Sequence, residues 1–241
     1  MDVVLSLPEY DILWQDLRLG RQPYPLSVLP HGATLEERAR IRAAVHARLA
    51  ERRLLGDPRL ADVLALLNDH EVAVELVQCA DEPVKALAAA RGEHAVLAVL
   101  AGESLRLTTT HARELARAAV SVLPPGGPGR SQPVNVAVDL LRTAVSRERG
   151  PLADEALVLS GAGMPTGQVR TLQRLAATRR RGGQFGVTVG GRQHPVVLAW
   201  FDADDGRYLQ VSENGSLSIL AADAVRIGKR VADLITTGRP G

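Results

Sequence analysis

Histidine and cysteine, the side chains that most often bind metal ions, are scattered without the spacing of a metal site. No two histidines are four residues apart, as the ligands of a helical zinc site are, and the six are His31, His46, His70, His94, His111 and His194. The single cysteine, Cys79, excludes a disulfide within the chain and a cysteine-cluster metal site. We therefore expect no metal ion, and we interpret Cys79 as a small half-buried hydrophobe.

Motifs of nucleophilic catalysis and of nucleotide binding are absent from the sequence. It contains neither the G-x-S-x-G elbow of a serine hydrolase nor the G-x-x-x-x-G-K-[ST] loop that holds phosphates. Gly161-Ala162-Gly163 lacks the third glycine of a dinucleotide-binding loop. The sequence thus predicts no catalytic residue and no cofactor, which favours a binding scaffold over an enzyme.

One acidic segment, Asp202-Ala203-Asp204-Asp205-Gly206, has the composition of a calcium loop. Its glycine comes one position early for an EF-hand. A tight hairpin turn at Asp205-Gly206 accounts for the same residues, because such turns favour aspartate followed by glycine. We predict a turn at this segment and no calcium site.

The charge pattern does not indicate nucleic acid as a partner. The sequence has 29 basic and 27 acidic residues, and its cations are arginine except for Lys85 and Lys229. Arg179-Arg180-Arg181 is the only compact basic run, and aromatic residues, at 3%, are too few to stack on bases. We interpret the run as the solvated end of a helix.

Membrane insertion and secretion are not indicated either. No window approaches the roughly 20 consecutive apolar residues of a membrane span. The first residues lack the basic region of a secretory signal and include Asp2, Glu9 and Asp11. With 46% hydrophobic and 23% charged residues, the composition is that of a globular protein. These features predict a cytoplasmic protein.

The most informative pattern is an internal repeat. A shift of 112 residues places Ser104–Leu107 on Ser216–Ile219, and it also superimposes the apolar residues Ala112, Leu115, Ala119, Val122 and Leu123 on Ala224, Ile227, Val231, Leu234 and Ile235. Chance alignment of two common patterns is the alternative, but the register needs no insertion. We predict one fused domain with an N-terminal α/β half at 1–123, a Pro/Gly linker at 124–133, and a C-terminal α/β half with a helical bundle at 134–241.

The two halves contain the same kinds of elements. Capping-box spacing at Ser6/Glu9 and Thr34/Glu37 predicts two helix starts, and Asp57-Pro58 predicts a third. Strands are predicted at 72–76, 84–90, 94–101, 104–108, 184–189, 195–202, 207–211 and 216–220. Further helices are predicted at 110–123, 138–147, 165–181 and 223–237. Short hairpins make the strands antiparallel. The sequence therefore predicts an α+β fold, a central antiparallel sheet flanked by helices.

Four segments occur in a specific order and spacing: LSLPEYDILWQDLRLG, EERARIRAAVHARLAERRLL, GQFGVTVGG and AWFDADDGRYLQV. Together they resemble the EspG family, the cytosolic secretion-associated proteins of ESX (type VII) systems. The resemblance extends from about residue 3 to residue 236. It implies a quasi-two-fold fold with two related α/β halves around a central antiparallel sheet, which agrees with the internal repeat.

The resemblance also implies a function. Members of the EspG family are specificity chaperones that bind PE–PPE-type heterodimers, cover the apolar tip of the PPE hairpin and keep the dimer soluble for export. Burying such a tip removes aggregation-prone surface from water.

The resemblance implies contacts from the loop between the second and third strands and from helices of the second half. Here the loop is a short connection from Cys79 to Pro83. The candidate partner-binding residues are Ala80, Asp81, Glu82, Arg170, Arg174, Arg226, Lys229 and Arg230. The basic residues either steer an acidic cargo or solvate their helices.

Three alternatives stay open. One is an adaptor of the same fold that binds a component of the secretion machine, suggested by the short connection. Another is an enzyme with a site near Asp202, Asp204 and His194. The third concerns assembly, since a weak homodimer is compatible with the sequence.

Overall fold

A large antiparallel sheet organises the molecule. The computed structural model describes residues 1–79, 82–141 and 159–238. Within these residues the strands are β1 (Asp2–Ser6), β2 (Val72–Cys79), β3 (Val84–Arg91), β4 (His94–Ala101), β5 (Ser104–His111), β6 (Val134–Ala137), β7 (Arg181–Val189), β8 (Arg192–Gln193), β9 (Val197–Ala203), β10 (Gly206–Glu213) and β11 (Ser216–Ala221). The helices are α1 (Leu7–Asp16), α2 (Leu35–Glu51), α3 (Pro58–Asn68), α4 (Leu115–Val120), α5 (Thr166–Thr178) and α6 (Ala224–Thr237).

The strand order shows the two-fold character of the fold. Ten strands follow the path β1-β5-β4-β3-β2-β7-β9-β10-β11-β6, with β8 paired to β7 alone. Every pairing along this path is antiparallel. The order is symmetric about the β2–β7 pair, and a shift of 112 residues places β4 on β10. The predicted α+β fold with two related halves is confirmed, whereas the boundaries at 1–123, 124–133 and 134–241 stay a prediction.

The two faces of the sheet carry different helices. On one face, here called the α4–α6 face, α4 and α6 pack over the centre through residues such as Leu115 and Val231. The two helices approach closely, because a Cβ added at Gly228 would lie 3.2 Å from a methyl group of Val120. On the other face, here called the α1–α5 face, α1 to α3 cover the first half and α5 covers the second.

Local sequence signals explain where several helices begin. The Ser6 hydroxyl accepts from the Glu9 backbone, and the Glu9 carboxylate accepts from the Ser6 backbone, so the predicted capping box is complete. Asp57 and Asp223 accept backbone hydrogen bonds at the starts of α3 and α6 in the same way. These caps satisfy amide groups that the first helical turn leaves unpaired.

Two predicted helices are shorter than their sequence patterns suggested. The helix predicted from Thr110 begins later, because Thr110 and His111 pair with β4 and extend β5. A 3₁₀ turn at Ala112–Glu114 then leads into α4. The predicted helix at 165–181 ends at Thr178. The helix predicted at 138–147 lies mostly outside the described residues.

The basic run lies at the exposed end of α5, as interpreted, because Arg179 is the C-cap and both Arg179 and Arg180 are exposed. Two of its arginines nevertheless have specific contacts. Arg179 lies over the ring of Phe201, with its guanidinium carbon 5.3 Å from the ring centre. Arg181 starts β7, and its Nε donates to Asp202 at 2.7 Å. Two of the three arginines therefore have specific partners on β9.

Two smaller predictions also need correction. The turn between β9 and β10 is formed by Asp204 and Asp205, and Gly206 already belongs to β10. Glycine is needed at position 206 because its φ is +134° and a Cβ would lie 2.6 Å from the Pro128 carbonyl oxygen. Cys79 is exposed, since it is the last residue of β2.

A buried arginine fastens the linker to the sheet. Arg207 is only 1% exposed, and its guanidinium donates to both carboxylate oxygens of Asp202, at 2.7 and 3.0 Å. The same group donates to the Pro124 carbonyl at 2.8 Å. The Arg207 backbone exchanges hydrogen bonds with Gly127 and Gly129. One residue of β10 thus holds both ends of the segment 124–129.

The surroundings of Asp202 favour the ionised form of its carboxylate. Burial by itself would raise the pKa of Asp202, but hydrogen bonds and charges from Arg207 and Arg181 outweigh that effect and hold the pKa below its usual value. The pair is therefore a true ion pair at neutral pH.

Candidate functional site

The short connection between β2 and β3 lies at one end of the sheet. Ala80 and Asp81 fall outside the described residues, and Glu82 is exposed just before β3 begins. Cys79, at the end of β2, pairs with Gly182, which follows α5 by a few residues. The C-terminal ends of β2 and α5 therefore lie at the same end of the sheet.

The two candidate arginines of α5 have different surroundings. Arg170 is exposed. Arg174 donates to Asp205 at 3.0 Å and also to Asp204 and Ser131, so it ties α5 to the β9–β10 turn. These contacts give Arg174 a structural task, and a role for either arginine in binding a partner stays a prediction.

An open groove crosses the centre of the α1–α5 face. Parts of β2 and β7 between the helices of the two halves line it, and the groove encloses about 500 Å³. Tyr24, from the loop between α1 and α2, is 70% exposed at its side. Glu75 of β2 and Thr188 of β7 lie at its floor. This site was not predicted from the sequence.

Glu75 is the most unusual group in the central groove. One carboxylate oxygen accepts from the Thr188 hydroxyl at 2.8 Å, whereas the buried Oε2 has no hydrogen-bond donor among the described residues. Its neighbour across the pair is Gly186, where a Cβ would lie 2.8 Å from that Oε2. Burial raises the pKa of Glu75, and the Thr188 hydrogen bond only partly opposes this.

We expect Glu75→Gln to raise the free energy of unfolding at pH 7.5 by about 1 kcal/mol, because a neutral amide removes the cost of an ionised, half-satisfied buried carboxylate. A raised folded-state pKa gives stability that is present at low pH and is lost as the pH rises through it. The gain should therefore shrink towards pH 4. Urea unfolding at both pH values measures it, with the exposed Glu51→Gln as control. A gain that is the same at both pH values would contradict the assignment.

The three candidates on α6 come together on the opposite side of the sheet. Arg226, Lys229 and Arg230 line one wall of a groove over β10 and β11 on the α4–α6 face. The structure therefore divides the candidate partner-binding residues between the two faces of the sheet. One compact cargo tip cannot contact α5 and this groove together.

The residues of the enzyme alternative do not come together as a site. Asp202 lies near the end of β9, whereas His194 precedes its start. Asp202 is paired with Arg207 and Arg181, and Asp204 is paired with Arg174. Within the described parts of the chain, no three histidine, cysteine, aspartate or glutamate residues are grouped to hold a metal ion. Nor does any described helix combine the length and apolar character required to cross a membrane.

These features define an α+β scaffold of two related halves that carries open grooves on both faces of its sheet. The model of the EspG family matches residues 6–233. The chain therefore belongs to the EspG family, and the resemblance inferred from the sequence is confirmed.

Comparison with solved structures supports the same fold. The structure of the Mycobacterium tuberculosis type VII secretion system chaperone EspG5 in complex with the PE25–PPE41 dimer aligns with a TM-score of 0.77 and 15% identity, over 100% of this chain and 97% of that chain. Full-length peroxisomal multifunctional enzyme type 2 from Drosophila melanogaster aligns with a TM-score of only 0.19 and 11% identity, over 92% of this chain and 48% of that chain, and it supports no argument. Among curated proteins, none matches the sequence.

Proposed function

We propose that this protein is a specificity chaperone of type VII secretion that binds a PE–PPE-type heterodimer. It covers the apolar tip of the PPE subunit and keeps the dimer soluble in the cytoplasm until export. The observation that supports this most strongly is membership of the EspG family over residues 6–233. The fold match to a chaperone solved together with a PE–PPE dimer agrees with it.

The α1–α5 face offers the better surface for such a cargo. The central groove, the exposed Arg170 and the β2–β3 connection with Glu82 all lie on this face or at its edge. The groove combines apolar Val77 and Val197 with polar groups along its lining. An apolar tip placed there loses its contact with water, which is the main favourable term in association.

Co-expression with the PE/PPE-like gene pair encoded beside the gene tests the proposal. We expect the three proteins to co-elute from a size-exclusion column. Arg170→Glu should weaken the complex by about tenfold, because it reverses a charge at the interface. Arg48→Glu, an exposed arginine of α2, is the control and should have no effect. Failure to co-elute with every candidate pair would count against the chaperone.

The short β2–β3 connection supports a second candidate. Only residues 80–83 separate the two strands, and an adaptor that binds a component of the secretion machine would need no long gripping loop. A pull-down that returns machine components without any PE/PPE-like protein would favour this adaptor over the chaperone. No catalytic activity is part of either proposal.

A further inference from the structure

A second groove, here called the basic groove, lies on the α4–α6 face beside α6. It encloses about 650 Å³ between α6 and the edge of the sheet. Its floor includes Leu209, Val211 and Leu220, of which Leu220 is 37% exposed. Arg226, Lys229, Arg230 and Asp233 form its wall along α6, and Ser131 and Pro133 lie opposite.

The wall of the basic groove carries positive charge that its own residues do not fully neutralise. Arg226 and Lys229 are exposed. The Arg226 guanidinium donates to the Ala221 carbonyl at 3.0 Å, and Lys229 has no hydrogen bond or ion pair with any described residue. Arg230 alone is paired, with Glu213 at 2.8 Å. Arg226 and Lys229 thus have no ion pair, and the wall stays positively charged although Asp233 also lies on it.

The internal repeat provides a comparison for the wall. The positions 112 residues before the three wall cations are occupied by Glu114, Arg117 and Ala118. There the single cation is already paired, because Arg117 donates to Glu114 at 2.6 Å. The same helix position therefore has no net charge in the first half, whereas it has a net positive charge in the second.

The floors differ in the same direction. Ser218 and Leu220 of the basic groove correspond to Arg106 and Thr108 in the first half. Arg106 pairs with Asp2 of β1 at 3.1 Å, which places a polar pair on that floor. Only the second half therefore combines an apolar floor with a free basic wall.

We propose that the basic groove binds an acidic amphipathic helix of a partner protein. Two neighbouring strands, β10 and β11, about 4.8 Å apart, make the floor. Pro133, opposite α6, widens the groove towards the diameter of one helix with its side chains, about 10 Å. The apolar stripe of the partner helix packs on Leu220 and its neighbours. Its acidic residues face Arg226 and Lys229, and they are spaced three or four residues apart to match the cations.

The basic groove does not depend on the proposed chaperone function. It lies on the face opposite to the central groove and α5, so a partner in the basic groove leaves the proposed cargo surface free. With both surfaces occupied, this chain would connect its PE–PPE cargo to a second partner protein. Each surface is disrupted by its own substitutions.

Fluorescence anisotropy with a labelled 18-residue peptide tests the proposal. The peptide is a designed helix with leucine at i, i+3, i+4 and i+7 along one face and glutamate on the other. We expect it to bind the full-length protein, more weakly in 300 mM than in 50 mM NaCl. A scrambled peptide of identical composition should bind at least about tenfold more weakly, since it lacks the apolar stripe.

Matched variants locate the binding. The double variant Arg226→Glu/Lys229→Glu should weaken peptide binding at least about tenfold. Arg40→Glu/Arg48→Glu changes the net charge equally at two exposed positions of α2 and should leave binding unchanged. Circular dichroism and thermal melting confirm that both variants fold. Leu220→Asp should also weaken binding, because it places a charge on the floor.

Several results would overturn the proposal. Equal weakening by the two double variants would show that only net charge matters. Equal binding of the scrambled peptide would show that the apolar stripe does not contribute to binding. Tighter binding of a 20-base-pair DNA duplex would indicate a different class of partner. Co-elution with the PE/PPE-like pair is expected to survive Arg226→Glu/Lys229→Glu. Loss of co-elution would show that the PE/PPE-like pair itself occupies the basic groove, which would overturn the proposal of a separate partner.

Discussion

Replacing Arg207 with methionine is expected to lower the free energy of unfolding by about 3 kcal/mol, the lower end of the range for breaking a buried ion pair. Methionine fills most of the volume but leaves the Asp202 carboxylate with only Arg181, whose side chain is 40% exposed. It also removes the hydrogen bond that holds the Pro124 carbonyl. Denaturant unfolding monitored by circular dichroism measures the change.

Arg181→Met is the matched control for Arg207→Met, because both arginines donate to the same carboxylate. It should cost less than about 1 kcal/mol, as a half-exposed pair is screened by water. A cost for Arg207→Met no larger than that of the control would contradict the role assigned to the buried pair.

The strands were largely predictable because their signals are local. Alternating apolar residues and short turns defined the hairpins of both halves, and the 112-residue repeat linked them. The end of β5 was not predictable, because Thr110 and His111 suit a helix start as well as a strand. Their pairing with β4 decides the outcome, and this pairing is a tertiary contact.

The roles of individual arginines could not be read from the sequence. Arg207 and Arg226 have the same chemistry, yet one is 1% exposed and the other is exposed. The difference arises because Arg207 lies on the covered face of β10 beneath the linker, whereas Arg226 lies on the outer side of α6. Glu75 offered the one available signal, a carboxylate in the otherwise apolar run Val72–Val77.

The division of the candidate site has a simple physical cause. Helical periodicity shows which side of a helix faces the core, but it does not show on which face of the sheet that helix packs. For this reason the sequence could not show whether Arg170 on α5 and Lys229 on α6 lie on the same surface. The hydrophobic clusters under α5 and α6 place them on opposite faces.

Trp200→Ala is expected to lower the free energy of unfolding by about 3–5 kcal/mol, because it deletes the largest fully buried side chain of the core. Trp200 lies in β9, opposite Gly183 of β7 and Leu209 of β10. A Cβ at Gly183 would lie 2.9 Å from the indole nitrogen, so the glycine leaves room for the ring. Urea unfolding measures the loss, with Val197→Ala, 37% exposed on the same strand, as control.

A second substitution separates the ring from its polar group. The indole N–H has no acceptor among the described residues, so Trp200→Phe should cost much less than Trp200→Ala. The Arg207 guanidinium lies 4.8 Å from the ring centre. Trp200→Ala and Arg207→Met combined should therefore cost about 1–2 kcal/mol less than the sum of the single changes. Strictly additive costs would show that the ring and the buried ion pair stabilise the sheet independently.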